Sequence, residues 1–240
     1  MEQVVAQAWQ ICPGVYRVSQ KAHVEYKMEG TGHGFDHSEK AAQIVVYTVD
    51  DPVVRRLAVA AAFLHSADRM LQEQRKVGRK EIPAGDVEQL VRGWLAESGD
   101  GFTEAETARI VNAILRHSGK NGPDDDEVLV ALMDADRITC STLDTVMEAA
   151  QHWRDFPVLS AEHLSHDPSA NPYKNPKTVL KNLECRFDWN NPASDVCVRL
   201  PKAKALMEQF AADIKEYIEK LEGQRAKIGL WPYHPPAAQS

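Results

Sequence analysis

The chain has 240 residues, 43% of them hydrophobic and 26% charged, with a formal net charge of −7, which places it among ordinary globular proteins able to bury a sizeable core. The acidic balance argues against sequence-independent binding to nucleic acid polymers or to anionic membranes, since both need clustered Lys and Arg. It leaves room for a small anionic ligand, because one cation and two or three local basic residues override the net field. No apolar run reaches the about 18 residues of a membrane span, the N-terminus lacks a secretory pattern, and Cys12, Cys140, Cys185 and Cys197 lack CxxC spacing and read as free thiols. A cytoplasmic location is expected.

Helical periodicity dominates the chain. Asp36, followed three residues later by Glu39, has the form of a capping box opening a helix to about 49, with His37, Ala41, Ile44, Val45 and Thr48 on one face. Asp50, Asp51 and Pro52 then stop one helix and start the next. Over about 52–71 the residues Val54, Leu57, Ala58, Ala61, Leu64, His65 and Asp68 share a stripe at spacings of three and four. A loop over 77–85 leads to a helix around 87–97. Thr103 and Glu106 form a second capping box, and the helix behind it carries Ile110, Ala113, Ile114 and His117 before Gly119, a natural left-handed cap. The next helix sets Leu129, Leu132, Met133 and Asp136 on one face.

Beyond a helix near 142–153 the composition changes. Residues 155–176 hold four prolines and two Asn-Pro steps, the mark of a long irregular segment. A helix is expected over 178–189 and a long one over 201–222, where Ala203, Met207, Phe210, Ile214, Tyr217 and Leu221 follow a heptad-like spacing that suits a bundle or a homodimer. The tail from Leu230 is Pro-rich and reads as extended. Nothing requires two domains: the expectation is one all-α domain, with residues 1–154 as its main bundle and 155–240 as an irregular segment and C-terminal helices packing on it.

Three apolar stripes thus end in groups that bind metals: His37, His65 and Asp136. Burying such groups unpaired costs roughly 1–3 kcal/mol each, and more when they are charged. Two imidazoles and a carboxylate converging on one divalent cation supply a reason for the pattern. Each residue also has an ordinary structural alternative, a satisfied core histidine or a surface ion pair.

In order and context, GHGFDH, AAAFLHSADR and ALMDADR, these residues resemble the HD-domain metal-dependent phosphohydrolases over roughly 30–140. The resemblance implies an HD-like helical bundle with a C-terminal helical extension. It also implies one divalent ion (Mn, Mg, Fe, Co, Ni or Zn) held by His37, His65 and Asp136, and hydrolysis of a small phosphorylated molecule or nucleotide. The departure is Ser66, which follows His65 where the family has an aspartate. Asp68, one helical turn beyond His65, is the candidate replacement ligand, or a catalytic group supporting the shell. Without it the site is a two-histidine, one-carboxylate set that also suits iron or manganese, and a third outcome is no metal, with the pocket kept as a site that binds a phosphorylated ligand without turnover. His117 is the other catalytic candidate. His33, Arg69 and Arg137 are candidates for substrate binding, Asp134 reads as a supporting or capping group, and Lys174, Lys177 and Lys181 as solvated.

Overall fold

The computed structural model describes residues 7–29, 31–78, 81–152, 154–164 and 166–232, apart from the side chain of His152. About 64% of the described residues are helical, and no strand or sheet forms among them. In chain order the helices are α1 (Ala8–Ile11), α2 (Pro13–Glu25), α3 (Phe35–Thr48), α4 (Pro52–Leu64), α5 (Ala67–Arg75) and α6 (Ala84–Ser98). They continue with α7 (Glu104–Arg116), α8 (Glu127–Thr139), α9 (Thr145–His152), α10 (Val179–Leu183), α11 (Cys185–Asn190) and α12 (Pro201–Lys227). None of them is long and apolar enough to cross a membrane.

The bundle is organised around α4, which packs against α2, α3, α7 and α8. Every residue from Leu57 to Leu64 is buried, as befits a helix apolar on all sides, and its four alanines let neighbouring helices approach closely. Its start is fixed locally: one Asp51 carboxylate oxygen accepts the amides of Val53 and Val54, both at 2.8 Å, and Pro52 occupies the first turn. Nearby, Asp100 accepts the first amides of α2, from Gly14 at 3.0 Å and Val15 at 2.7 Å. Gly14 permits that approach, since a Cβ there would lie 2.0 Å from the Ser98 carbonyl oxygen.

Several boundaries differ from those the periodicity predicts. The expected continuous helix over 52–71 breaks at His65–Ser66, where Ser66 adopts φ −79° and ψ 9° before α5 begins. Asp68 therefore does not share a helix face with His65. At α3 the N-cap is Gly34, and Asp36 lies in the first turn without the expected capping box. The box at Thr103 and Glu106 does form, with contacts of 2.8 and 3.3 Å. Gly119 is not left-handed; α7 closes earlier, at His117. Helix α6 begins before 87, the helix expected over 178–189 divides at Glu184, and α12 continues past 222. Residues 233–240, which include most of the Pro-rich tail, lie outside the described residues.

The C-terminal part is joined to the bundle by packing and by one buried carboxylate. Ala203 and Met207 of α12 enter the main core, while Ile214 and Ile218 form a smaller core with Ala149, Val179, Leu180 and Leu183. The heptad-like stripe of α12 is therefore spent within the chain. Just before α12, the amides of Arg199 and Leu200 donate to Asp134 Oδ2 at 2.8 and 2.7 Å. Asp134 is fully buried on α8, so it ties the two elements together. Replacing Asp134 with Ala strands two amide donors and is expected to cost about 2–4 kcal/mol in chemical denaturation, with Asp134→Asn costing less; an unchanged denaturation midpoint for Asp134→Ala would contradict this tie.

Candidate metal centre

Three helix segments deliver the expected triplet to one point. His37 comes from the first turn of α3, His65 from the end of α4 and Asp136 from α8. His37 Nε2 lies 3.1 Å from His65 Nε2 and 3.2 Å from Asp136 Oδ1, and His65 Nε2 lies 3.5 Å from that same oxygen. Charge-assisted contacts between imidazolium and carboxylate are shorter, about 2.7–2.9 Å. Donor atoms about 2.1 Å from a common ion stand about 3.0 Å apart at right angles and about 3.4 Å apart at tetrahedral angles. The observed spacings fall in the range of the edges of a coordination polyhedron.

Local chemistry prepares these atoms as ligands. His65 Nδ1 donates to the Ala62 carbonyl at 2.7 Å, which satisfies a helix-end acceptor and turns the Nε2 lone pair toward the triplet. His117 repeats the device at the end of α7, with Nδ1 donating to the Ile114 carbonyl at 2.6 Å. The rings of His65 and His117 meet edge to face at 5.3 Å. Burial would lower the His65 pKa, but the hydrogen bond and charge of Asp136, helped by the Ala62 carbonyl, outweigh it and hold it above the ordinary value. Burial would likewise raise Asp136, yet hydrogen bonds from His37 and His65 hold it well below the usual carboxylate range. The carboxylate is therefore ionised and suited to a cation.

A cavity of about 80 Å³ opens beside the triplet, lined by His65, Asp136, His33, Arg69, Asp68 and His117 together with Ser66 and Ser118. Ser66 is buried, and its Oγ has no hydrogen-bond partner among the described residues. Such an unpaired hydroxyl costs roughly 1–3 kcal/mol unless something in the cavity takes it up. Asp68 lines the cavity but stands outside the group whose ligand atoms all lie within 4.8 Å of one another, which comprises His37, His65 and Asp136. Its expected place as a fourth ligand is therefore corrected to the cavity wall, because the break at Ser66 redirects α5. Arg137, expected to meet phosphate, is buried and donates to Asn121 Oδ1 and the carbonyls of Cys197 and Gly119 at 2.8–3.1 Å. It braces the C-terminal segment and does not line the cavity. Lys177 pairs with Asp167 and Lys181 with Glu184, away from the triplet.

The periodicity does not single out the residues on the far side of His33 and Arg69. These two line a second cavity of about 200 Å³, walled also by Cys140, Glu148, Asn182 and Arg186. One signal was present: Leu180, Leu183 and Arg186 recur at spacings of three, so an apolar stripe again ends in a polar group.

No family model matches the chain, and no curated protein matches it. A crystal structure of a Lactobacillus plantarum protein, a Northeast Structural Genomics target, is similar at a TM-score of 0.56 and 13% identity, over 93% of this chain and 100% of that one. At that identity the likeness shows a shared fold.

The burial of His117 has a consequence for acid stability. Burial pushes its pKa down to about 4 from 6.5, with Asp136 opposing the fall and His65 adding to it. A histidine depressed in the folded state contributes stability that is complete above 6.5 and is lost as the pH falls toward about 4. Denaturation in chelator across that window should show a weaker pH dependence for His117→Gln than for the unaltered protein; equal slopes would rule out this linkage.

Proposed function

We propose that the chain is a metal-dependent phosphohydrolase of the HD type, acting on a small phosphate ester. The observation that carries this reading is the set of 3.1, 3.2 and 3.5 Å separations among His37 Nε2, His65 Nε2 and Asp136 Oδ1. Three protein donors leave coordination positions for water and substrate, as catalytic sites require. A divalent cation held there would lower the pKa of water and offset the charge of a phosphate.

The chain's own groups supply the rest. Arg69 stands at the junction of the two cavities, where its planar guanidinium suits phosphate oxygens. The hydroxyl of Ser66 is placed to donate to the same group. His117, neutral and with Nδ1 engaged, presents Nε2 as an acceptor that orients the attacking water. Asp68 takes the proton that the water loses as its oxygen bonds to phosphorus. The ester P–O bond breaks, and the leaving oxygen is protonated from solvent, giving an alcohol and inorganic phosphate. Ser66 in the doublet position also favours a second reading, in which the pocket binds a phosphorylated ligand without turnover.

Protein purified without chelator is expected to carry close to one equivalent of divalent metal by elemental analysis, and His65→Ala to lose it. Full metal content in that variant would remove the ligand assignment. A panel of phosphate esters with added Mn, Mg, Fe, Co or Ni separates the readings: released phosphate supports hydrolysis, and thermal stabilisation without product supports binding alone. Oxygen uptake with iron would instead point to oxidative chemistry.

A further inference from the structure

Arg186 is an unusual resident of a cavity wall. It is 5% exposed, and its hydrogen bonds go to the carbonyls of Cys140 and Asn182, the Asn182 side-chain oxygen and the Cys185 sulfur, with no carboxylate among them in the described residues. Its Nε donates to the Cys140 carbonyl at 2.7 Å and its Nη1 to the Asn182 carbonyl at 3.0 Å, while the Trp189 ring lies 5.2 Å from the guanidinium carbon. Those contacts hold the side chain still, and its Nη2 makes no hydrogen bond among the described residues. Buried charges are normally paired, because an uncompensated one is strongly destabilising. A fixed, desolvated guanidinium with spare donors facing a cavity is an anion site.

The cavity it faces adjoins the one beside the triplet, and His33 and Arg69 line both spaces. Arg69 adds a second guanidinium. Glu148, the one carboxylate among the described lining residues, lies 3.6 Å from Lys40 Nζ, which also pairs with Asp144 at 2.6 Å, so the wall carries two guanidinium groups against one carboxylate. Among the described lining residues the wall is polar, with Ala149 its sole hydrocarbon side chain, and it offers two guanidinium groups to an anion. A space of about 380 Å³ also adjoins the triplet's cavity at Asp68 and Ser118, walled by Ile82, Val87, Ile114 and Leu115, and no cation lines it among the described residues.

We infer that the Arg186 cavity binds a second anionic group, carboxylate or phosphate, on the molecule whose phosphate meets the triplet. The substrate class is then a small bis-anionic phosphate ester, and the C-terminal helices supply its specificity. This deepens the proposed function and rests on it for the placement of the first phosphate.

The test compares binding of phosphoglycolate, propanediol bisphosphate, propyl phosphate and adenosine monophosphate to the metal-loaded full chain by calorimetry, alongside phosphate release. The unaltered protein should bind at least one of the two bis-anions on the order of 10- to 100-fold more tightly than propyl phosphate, in keeping with a charge-assisted contact. Which bis-anion wins identifies the second group as carboxylate or phosphate. Arg186→Gln should erase that preference while metal content and affinity for propyl phosphate stay within a few-fold, and Arg186→Lys should restore part of it. Equal binding of bis-anions and propyl phosphate, or tightest binding of adenosine monophosphate, overturns the inference. If Arg186→Gln does not fold, the comparison on the unaltered protein still decides. Preference without phosphate release upholds the anion site and sinks only the hydrolytic reading; release without preference does the reverse.

Discussion

A helix apolar on every side can deliver a polar group to the core only where it ends, because there its last carbonyls lack intrahelical partners. Helix α4 ends in this way at His65. The Nδ1 hydrogen bond to the Ala62 carbonyl satisfies a stranded acceptor and fixes the ring, leaving Nε2 pointed at His37 and Asp136. Helix α7 ends the same way at His117, and each of these histidines is followed by a serine that lines the same cavity. The site is thus assembled from helix termini whose histidine rings are fixed by local hydrogen bonds before any ligand arrives, which is the sense in which it is preorganised.

That construction also explains what could be read from the residues alone. His37, His65 and Asp136 stand at the ends of apolar stripes, so periodicity was enough to bring them together. The stripe through Leu64, His65 and Asp68 continues without a Gly or Pro to mark a stop, and the break at Ser66 coincides with the His65 Nδ1 hydrogen bond to the Ala62 carbonyl, which spacing does not encode. The assignment of Asp68 to the same face failed for that reason. Arg137 illustrates a different limit: next to Asp136 it has the sequence position of a phosphate ligand, but its guanidinium is used on the carbonyls of Gly119 and Cys197. Charge and position do not reveal which acceptors the rest of the chain will bring within reach.

The C-terminal region shows how a segment outside the recognisable pattern acquires a place in the site. Asp134, two residues before a proposed ligand, anchors the start of α12 through two backbone amides. Helix α12 in turn packs on α11 and contributes to the small core beside α9 and α10, so Arg186 is carried to the edge of the cavity by packing that begins two residues from Asp136. The triplet and the Arg186 cavity are mechanically linked in this arrangement, though they draw on different ends of the chain.

The central claim is that the spacing of three side-chain atoms is that of ligands around one ion. Anomalous diffraction from crystals grown with manganese tests it most directly. The account predicts a peak about 2.1–2.3 Å from each of His37 Nε2, His65 Nε2 and Asp136 Oδ1. Crystals in which these atoms keep their separations while the anomalous density lies elsewhere, or is missing from this point, would contradict it.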